Sequence, residues 1–219
     1  MKPKTNLCVN IGCGTDPSDG WLNMDNSPAI KLANSPFKYN LAKYLRLLNA
    51  SQIENIEWNC ANSIQFADAT KTLPLDDSTV ECIYTSHMFE HLSQDGAKSF
   101  LKEAIRVLKV GGILRIAVPD LSLAVNKYLA SEDADAFMRN ILVSAPPINT
   151  LREKLMLFLT GYRHHQWMYD GNSLSKIMSQ NGFKEVEVCT DGYTKIANPA
   201  GLNLYEQVEI TVYIEGVKQ

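Results

Sequence analysis

The stretch VNIGCGTDPSDGWLNMD, residues 9–25, constrains this chain more than any other. An apolar run at 7–11 leads straight into Gly12-Cys13-Gly14, and a second at 21–24 ends on Asp25, 13 residues after Gly12. Two strands this close, the first closed by glycines that accept turns other residues resist, leave little room for a helix between them. Further apolar runs bounded by turn residues predict strands at about 64–67, 80–85, 112–118, 184–189 and 207–214. Helical patterns separate several of these. Ala97, Phe100, Leu101, Ala104, Ile105 and Leu108 recur at helical spacing, with Gly111 and Gly112 expected to end the helix. Leu174, Ile177 and Met178 mark another, stopped at Gly182. Alternating strands and helices predict an α/β fold: a mostly parallel sheet covered on both faces. No helical pattern lies between the last two strands, only Asp191-Gly192 and a loop with Pro199, so they are expected to pair antiparallel.

With 219 residues, 45% of them apolar, the chain can bury one good core and is short for two, so a single domain over 1–219 is expected. Residues 121–170 break the alternation: Pro146 and Pro147 interrupt them, and large apolar residues and histidines crowd there. We read them as a lid segment on the acceptor side. A net charge of -3 and scattered Lys and Arg give no basic footprint, which argues against nucleic acid as a partner. Five cysteines without a CxxC pair suggest neither a disulfide framework nor a zinc ribbon, and hence a reducing, cytoplasmic setting. Asn10 and Gly12 break the first apolar run too early for a signal peptide, and the run at 155–159 is too short to span a bilayer. A soluble chain is expected.

In an open parallel sheet, ligands sit beyond the carboxyl ends of the strands. There Gly12 and Gly14 would let the backbone approach a ligand, and Asp25 could accept both hydroxyls of a ribose. A dinucleotide fits poorly. The third glycine of G-x-G-x-x-G would fall on Pro17, Asp16 beside it adds negative charge near a pyrophosphate, and the acid comes well before the roughly 20-residue spacing of that fingerprint. S-adenosylmethionine removes the objection, having a ribose, no phosphate and a cationic sulfonium.

The motifs VNIGCG, WLNMD, FADATKTLPLDDSTVECIYTSHMFEHL, AIRVLKVGGILRIAVPDL and NGFKEVEV, in that order, resemble the class I S-adenosylmethionine-dependent methyltransferases. The resemblance implies a doubly wound, seven-stranded Rossmann-like sheet of order 3-2-1-4-5-7-6 with strand 7 antiparallel, and S-adenosyl-L-methionine as cofactor. It implies Asn10, Ile11, Gly12, Cys13 and Gly14 near the methionine portion, and Asp25 with Asn26 at the ribose. Asp68 with Ala69 would lie at the adenine, and Ser86 with His87 at the pocket edge. Asn10 stands where many relatives carry an acid, Asp16 where many carry glycine, and Val110 where K-P-G-G is usual. The short GTDPSDGW link is similar to a bacterial subgroup found with polysaccharide and glycosyl-transfer functions. That implies methylation of a small-molecule acceptor, at oxygen on a sugar or glycan precursor.

The four histidines fall in two clusters, His87 with His91 and His164 with His165. A hydroxyl acceptor needs a base, and histidine titrates near neutrality, so His87, His91 and His165 are the candidates. HMFEH also matches the H-x-x-E-H signature of inverted zinc peptidases. That reading needs a long helix and a third ligand downstream, whereas the motif follows the strand ECIYTS and Ser93 to Gly96 soon interrupt any helix. A zinc hydrolase stays an alternative, as does a non-catalytic adenosine-binding module, and Glu90 and His91 could simply pair and cap a helix start. No metal ligand is assigned from the sequence, and a divalent-cation role for His87, Glu90 and His91 is left open. Tyr162, Trp167 and Tyr169 offer faces for a sugar or a flat ring. NTLREKLMLFLTGY suits a lid, a membrane surface or a dimer contact, which keeps a homodimer open.

Overall fold

A computed structural model of the chain describes residues 7–143 and 164–219. The strands are β1 (Leu7–Ile11), β2 (Leu22–Asp25), β3 (Gln65–Phe66), β4 (Val80–Ser86), β5 (Leu108–Pro119), β6 (Phe183–Cys189) and β7 (Thr211–Lys218). They form one sheet in the order β3-β2-β1-β4-β5-β7-β6. The first five are parallel, and β7 runs antiparallel to both β5 and β6. This is the order and the odd strand that the motif resemblance implies.

No helix joins β1 to β2. The loop between them is held from outside instead: Trp21 Nε1 donates to the Ala200 carbonyl at 2.8 Å, and Gly201 packs on the Asp19 backbone. Three helices fill the next crossover, α1 (Pro28–Ala33), α2 (Pro36–Tyr44) and α3 (Ala50–Ala61). Proline opens α1 and α2, where its missing N–H is one the helix could not have paired. Asn49 starts α3 through a reciprocal capping box with Gln52.

After β4 comes a 3-10 turn, Phe89–His91, and then α4 (Gln94–Val107), whose N-cap Ser93 accepts from Gly96 N. Ala97, Phe100, Leu101, Ala104 and Val107 of α4 are fully buried against Val9, Ile83 and Ile116 of the sheet. Burying each larger apolar side chain stabilises the fold by about 1.5–3 kcal/mol. Beyond β5 lie α5 (Leu121–Ser131), α6 (Ala134–Ile141) and α7 (Gly171–Gln180), the last opened by an Asp170–Ser173 capping box. The part of the expected lid at 144–163, with Tyr162 and the NTLREKLMLFLTGY segment, lies outside the described residues, whereas 121–141 forms α5 and α6.

Three expectations are corrected. Gly111 and Gly112 do not end α4, which stops at Val107; they lie within β5, where Leu108 pairs with Val80 and Ile113 with Cys82. Residues 109–112 therefore bulge out of the ladder, and Gly111 makes the turn at φ +82. The last strand runs 211–218 rather than 207–214. Glu215 on it is fully buried, its carboxylate 2.8 Å from Arg115 Nη1 and accepting from Lys195 N. Finally, the cysteine count suggested no disulfide, whereas Cys8 and Cys82 face each other on β1 and β4 with Cα atoms 4.8 Å apart, as a disulfide pair. Among the described residues, no helix is long and apolar enough to cross a membrane.

Candidate active site

A cleft of about 870 Å³ opens beyond the carboxyl ends of β1 to β4. Of the residues picked from sequence, Ile11, Gly12, Gly14, Asp25, Asn26, Asp68, Ala69, His87 and His91 all line it. At one end the chain is held by its own backbone. Asp25 ends β2 and accepts from Gly14 N through Oδ2 at 3.1 Å and from Ser27 N through Oδ1 at 2.8 Å. The carboxylate is thus aimed before any ligand arrives. Gly12 sits at φ +77 with Met88 packed where a β-carbon would project, so only glycine fits. Asp68 accepts from Thr70 N and Oγ1 and lies 3.2 Å from Lys71 Nζ. Burial pushes its carboxyl upward, but the Thr70 bonds and Lys71 outweigh that and hold it below its ordinary range.

Asn10, Cys13 and Ser86 are not in this cleft. With Gly12 they line a separate pocket of about 60 Å³, where Asn10 Nδ2 donates to Ser18 Oγ at 3.0 Å and Tyr84 donates to Glu206 Oε2 at 2.8 Å. Burial and the nearby Asp25 push the Cys13 thiol up to about 12, so it stays protonated.

The opposite end of the cleft is built from side chains. His87 adopts a left-handed φ of +48, uncommon for a residue with a β-carbon, fixed by its N–H donating to the Ala117 carbonyl. Its Nε2 lies 3.2 Å from Thr211 Oγ1 and its Nδ1 3.5 Å from Glu90 Oε1. The same oxygen lies 4.0 Å from His91 Nε2 and 3.9 Å from His165 Nε2. Glu90 is 1% exposed, and neither carboxylate oxygen has a hydrogen-bond partner among the described residues. His165 sits behind Glu90 rather than on the cleft wall, and burial lowers its pKa against the raising effect of Glu90. HMFEH spans the 3-10 turn and not a long helix, so it lacks the helical frame of the zinc-peptidase signature. Nor do Glu90 and His91 cap α4; Ser93 does.

Sequence reading missed part of the wall. Gln52, Asn55 and Ile56 of α3 face the cleft, as do Met88, Thr70 and Gln166. The i, i+3, i+4 spacing of the three α3 residues was available as a signal. Gln166 could be found only from the fold: its N–H donates to the Glu90 carbonyl and its Nε2 to the His91 carbonyl.

No lysine or arginine among the described residues lines either cavity. Two carboxylates, a glycine turn and no cation suit a cationic adenosyl ligand better than a diphosphate.

Residues 9–116 match the family described as "Methyltransferase domain". The fold is similar to that of a SAM-dependent methyltransferase from Thermotoga maritima, with a TM-score of 0.50 at 17% identity over 97% of this chain and 82% of that one. It also overlaps phosphoethanolamine N-methyltransferase 2 of Haemonchus contortus, in complex with S-adenosyl-L-methionine, with a TM-score of 0.47 at 12% identity over 97% of this chain and 48% of that one. Among curated proteins, an uncharacterized 37.1 kDa protein in transposon TN4556 of Streptomyces fradiae is 28% identical over 133 residues, 61% of this chain. The aligned part is 36% of that relative's length. Residues 9–116 thus match a methyltransferase domain, on a sheet of order β3-β2-β1-β4-β5-β7-β6 with a cleft beyond the carboxyl ends of its strands.

Proposed function

We propose that the chain methylates a small-molecule acceptor at oxygen, the acceptor being a sugar or glycan precursor. What carries the reading is one cavity with ribose-type and adenine-side carboxylates at one end, Asp25 and Asp68, and a cluster of imidazoles around Glu90 at the other. Gly12, Gly14, Asp25, Asn26, Asp68 and Ala69 would hold the donor, with Asn10, Cys13 and Ser86 behind the glycine turn. Bound there, S-adenosyl-L-methionine supplies a methyl group already activated by the sulfonium charge. Little is then asked of the protein beyond alignment and removal of the hydroxyl proton. His87 is placed for that second task. A proton taken up by His87 would leave an imidazolium whose Nδ1 faces Glu90 Oε1 at 3.5 Å, and that carboxylate would stabilise the cation. His91 and His165 flank the same carboxylate from its other sides.

The test is radiolabelled methyl transfer from S-adenosyl-L-methionine to a panel of sugars, nucleotide sugars, phenols and amines. Turnover with hydroxylated sugars and none with amines is expected. Turnover confined to amines would overturn the oxygen assignment. Light scattering on the same protein tests the homodimer.

A further inference from the structure

Glu90 poses an electrostatic problem that hydrogen bonding does not solve. Its carboxylate is buried with both oxygens unpartnered among the described residues, a strongly unfavourable arrangement for an ionised group. The imidazole nitrogens facing Oε1 stand at 3.5, 3.9 and 4.0 Å, beyond good hydrogen-bond distance.

Two of these rings are fixed from behind. His91 Nδ1 lies 3.2 Å from the His164 carbonyl, and His165 Nδ1 lies 2.8 Å from the Ile141 carbonyl. A carbonyl oxygen only accepts, so in each ring Nδ1 carries the proton and donates it. Each neutral ring then turns its Nε2 lone pair toward Glu90. Two lone pairs and a carboxylate aimed at one another repel unless a proton or a metal cation lies between them, and gaps of 3.9 and 4.0 Å are too long for a shared proton and leave room for an ion. An imidazole backed by a carbonyl on its far nitrogen is also the arrangement that orients metal-bound histidines.

The dimensions agree. The ligand atoms of Glu90, His91 and His165 all lie within 4.8 Å of one another. Bonds of about 2.0–2.2 Å to a small ion place ligand atoms roughly 3–4 Å apart, so only a slight inward movement is needed. We propose that Glu90, His91 and His165 form a binding site for a divalent first-row transition-metal ion at the acceptor end of the cleft. Two imidazoles with one carboxylate is a donor set for zinc or iron(II); magnesium and calcium prefer oxygen. His91 reaches the cleft wall, which leaves the ion's remaining coordination positions toward the cavity. His87, with Nδ1 beside the same carboxylate, stays outside this ligand set. The site does not depend on what the enzyme methylates.

Metal-stripped full-length protein titrated with Co²⁺, and separately with Zn²⁺, tests this. One equivalent is expected to bind, with visible d–d absorption from cobalt, no thiolate charge-transfer band, and a higher melting temperature. Glu90→Gln and His165→Gln should each weaken the metal at least about tenfold. Cys60→Ser, which removes an exposed thiol, should change nothing. S-adenosyl-L-methionine affinity of each variant reports whether the fold and the donor end survive. If His165→Gln does not fold, Glu90→Gln and the cobalt spectrum of the native protein decide. The site is disproved by substoichiometric binding, by a charge-transfer band that assigns cobalt to cysteine, or by native-like affinity in Glu90→Gln. Magnesium competing on equal terms would overturn the nitrogen-rich assignment.

Discussion

The two ends of the cleft are built on opposite plans. At the proposed donor end, Asp25 accepts from the amides of Gly14 and Ser27, and Asp68 from Thr70, all within a few residues or across one strand turn. At the proposed acceptor end, Glu90 gathers rings from positions 87, 91 and 165, each braced by yet another segment. The donor end is satisfied by its own backbone before a ligand arrives. The acceptor end leaves a buried carboxylate whose oxygens have no hydrogen bond among the described residues, which is the mark of a group arranged for chemistry or for a ligand.

If the contrast holds, substitutions at the two ends should fail differently. The largest effect is expected from His87→Gln: kcat should fall about 10²–10⁴-fold, the usual scale for losing a positioned base, with donor affinity within a factor of about three. Steady-state kinetics beside calorimetry would show it, and a parallel collapse of donor binding would merge the two ends. Next comes Gly12→Ala. A β-carbon there meets Met88 and the backbone is left-handed, so the expected destabilisation is about 2–4 kcal/mol, read from denaturant unfolding. Little change would mean that Met88 yields freely.

Asp25→Ala should then weaken S-adenosyl-L-methionine by about 1–3 kcal/mol, the range for losing charged hydrogen bonds. Unchanged affinity in calorimetry would remove Asp25 from the donor end. The smallest effect belongs to Trp21→Phe, which deletes the bond from Nε1 to the Ala200 carbonyl that steadies the glycine loop. About 0.5–1.5 kcal/mol of stability should go, with kcat nearly unchanged. A large fall in kcat would tie that loop to the chemistry.

The contrast also explains what could be read in advance. The glycine turn, Asp25 and Asp68 each stand at a strand end, and strand ends show in local apolar patterning. The limits of β5 and β7 did not show so well. Gly111 and Gly112 look like a helix stop until Val80 and Cys82 pair with Leu108 and Ile113 on either side of the bulge. The partner of Glu215 is Arg115, 100 residues away in sequence, and only the sheet brings the two together. Asn10 and Ser86 sit next in sequence to cleft residues, yet strand alternation turns them to the other face.

By itself the sequence determined where strands and helices alternate and the antiparallel close of the sheet, because these show in local apolar patterning, while the strand order came from the motif resemblance. Only the tertiary structure decided that His165 comes to Glu90, that Cys8 meets Cys82 across 74 residues, and that Glu215 is neutralised inside the core. The physical reason is common to all three. A polar side chain in the interior is satisfied by whatever the fold brings beside it, and nothing in its own neighbourhood along the chain specifies which residue that is.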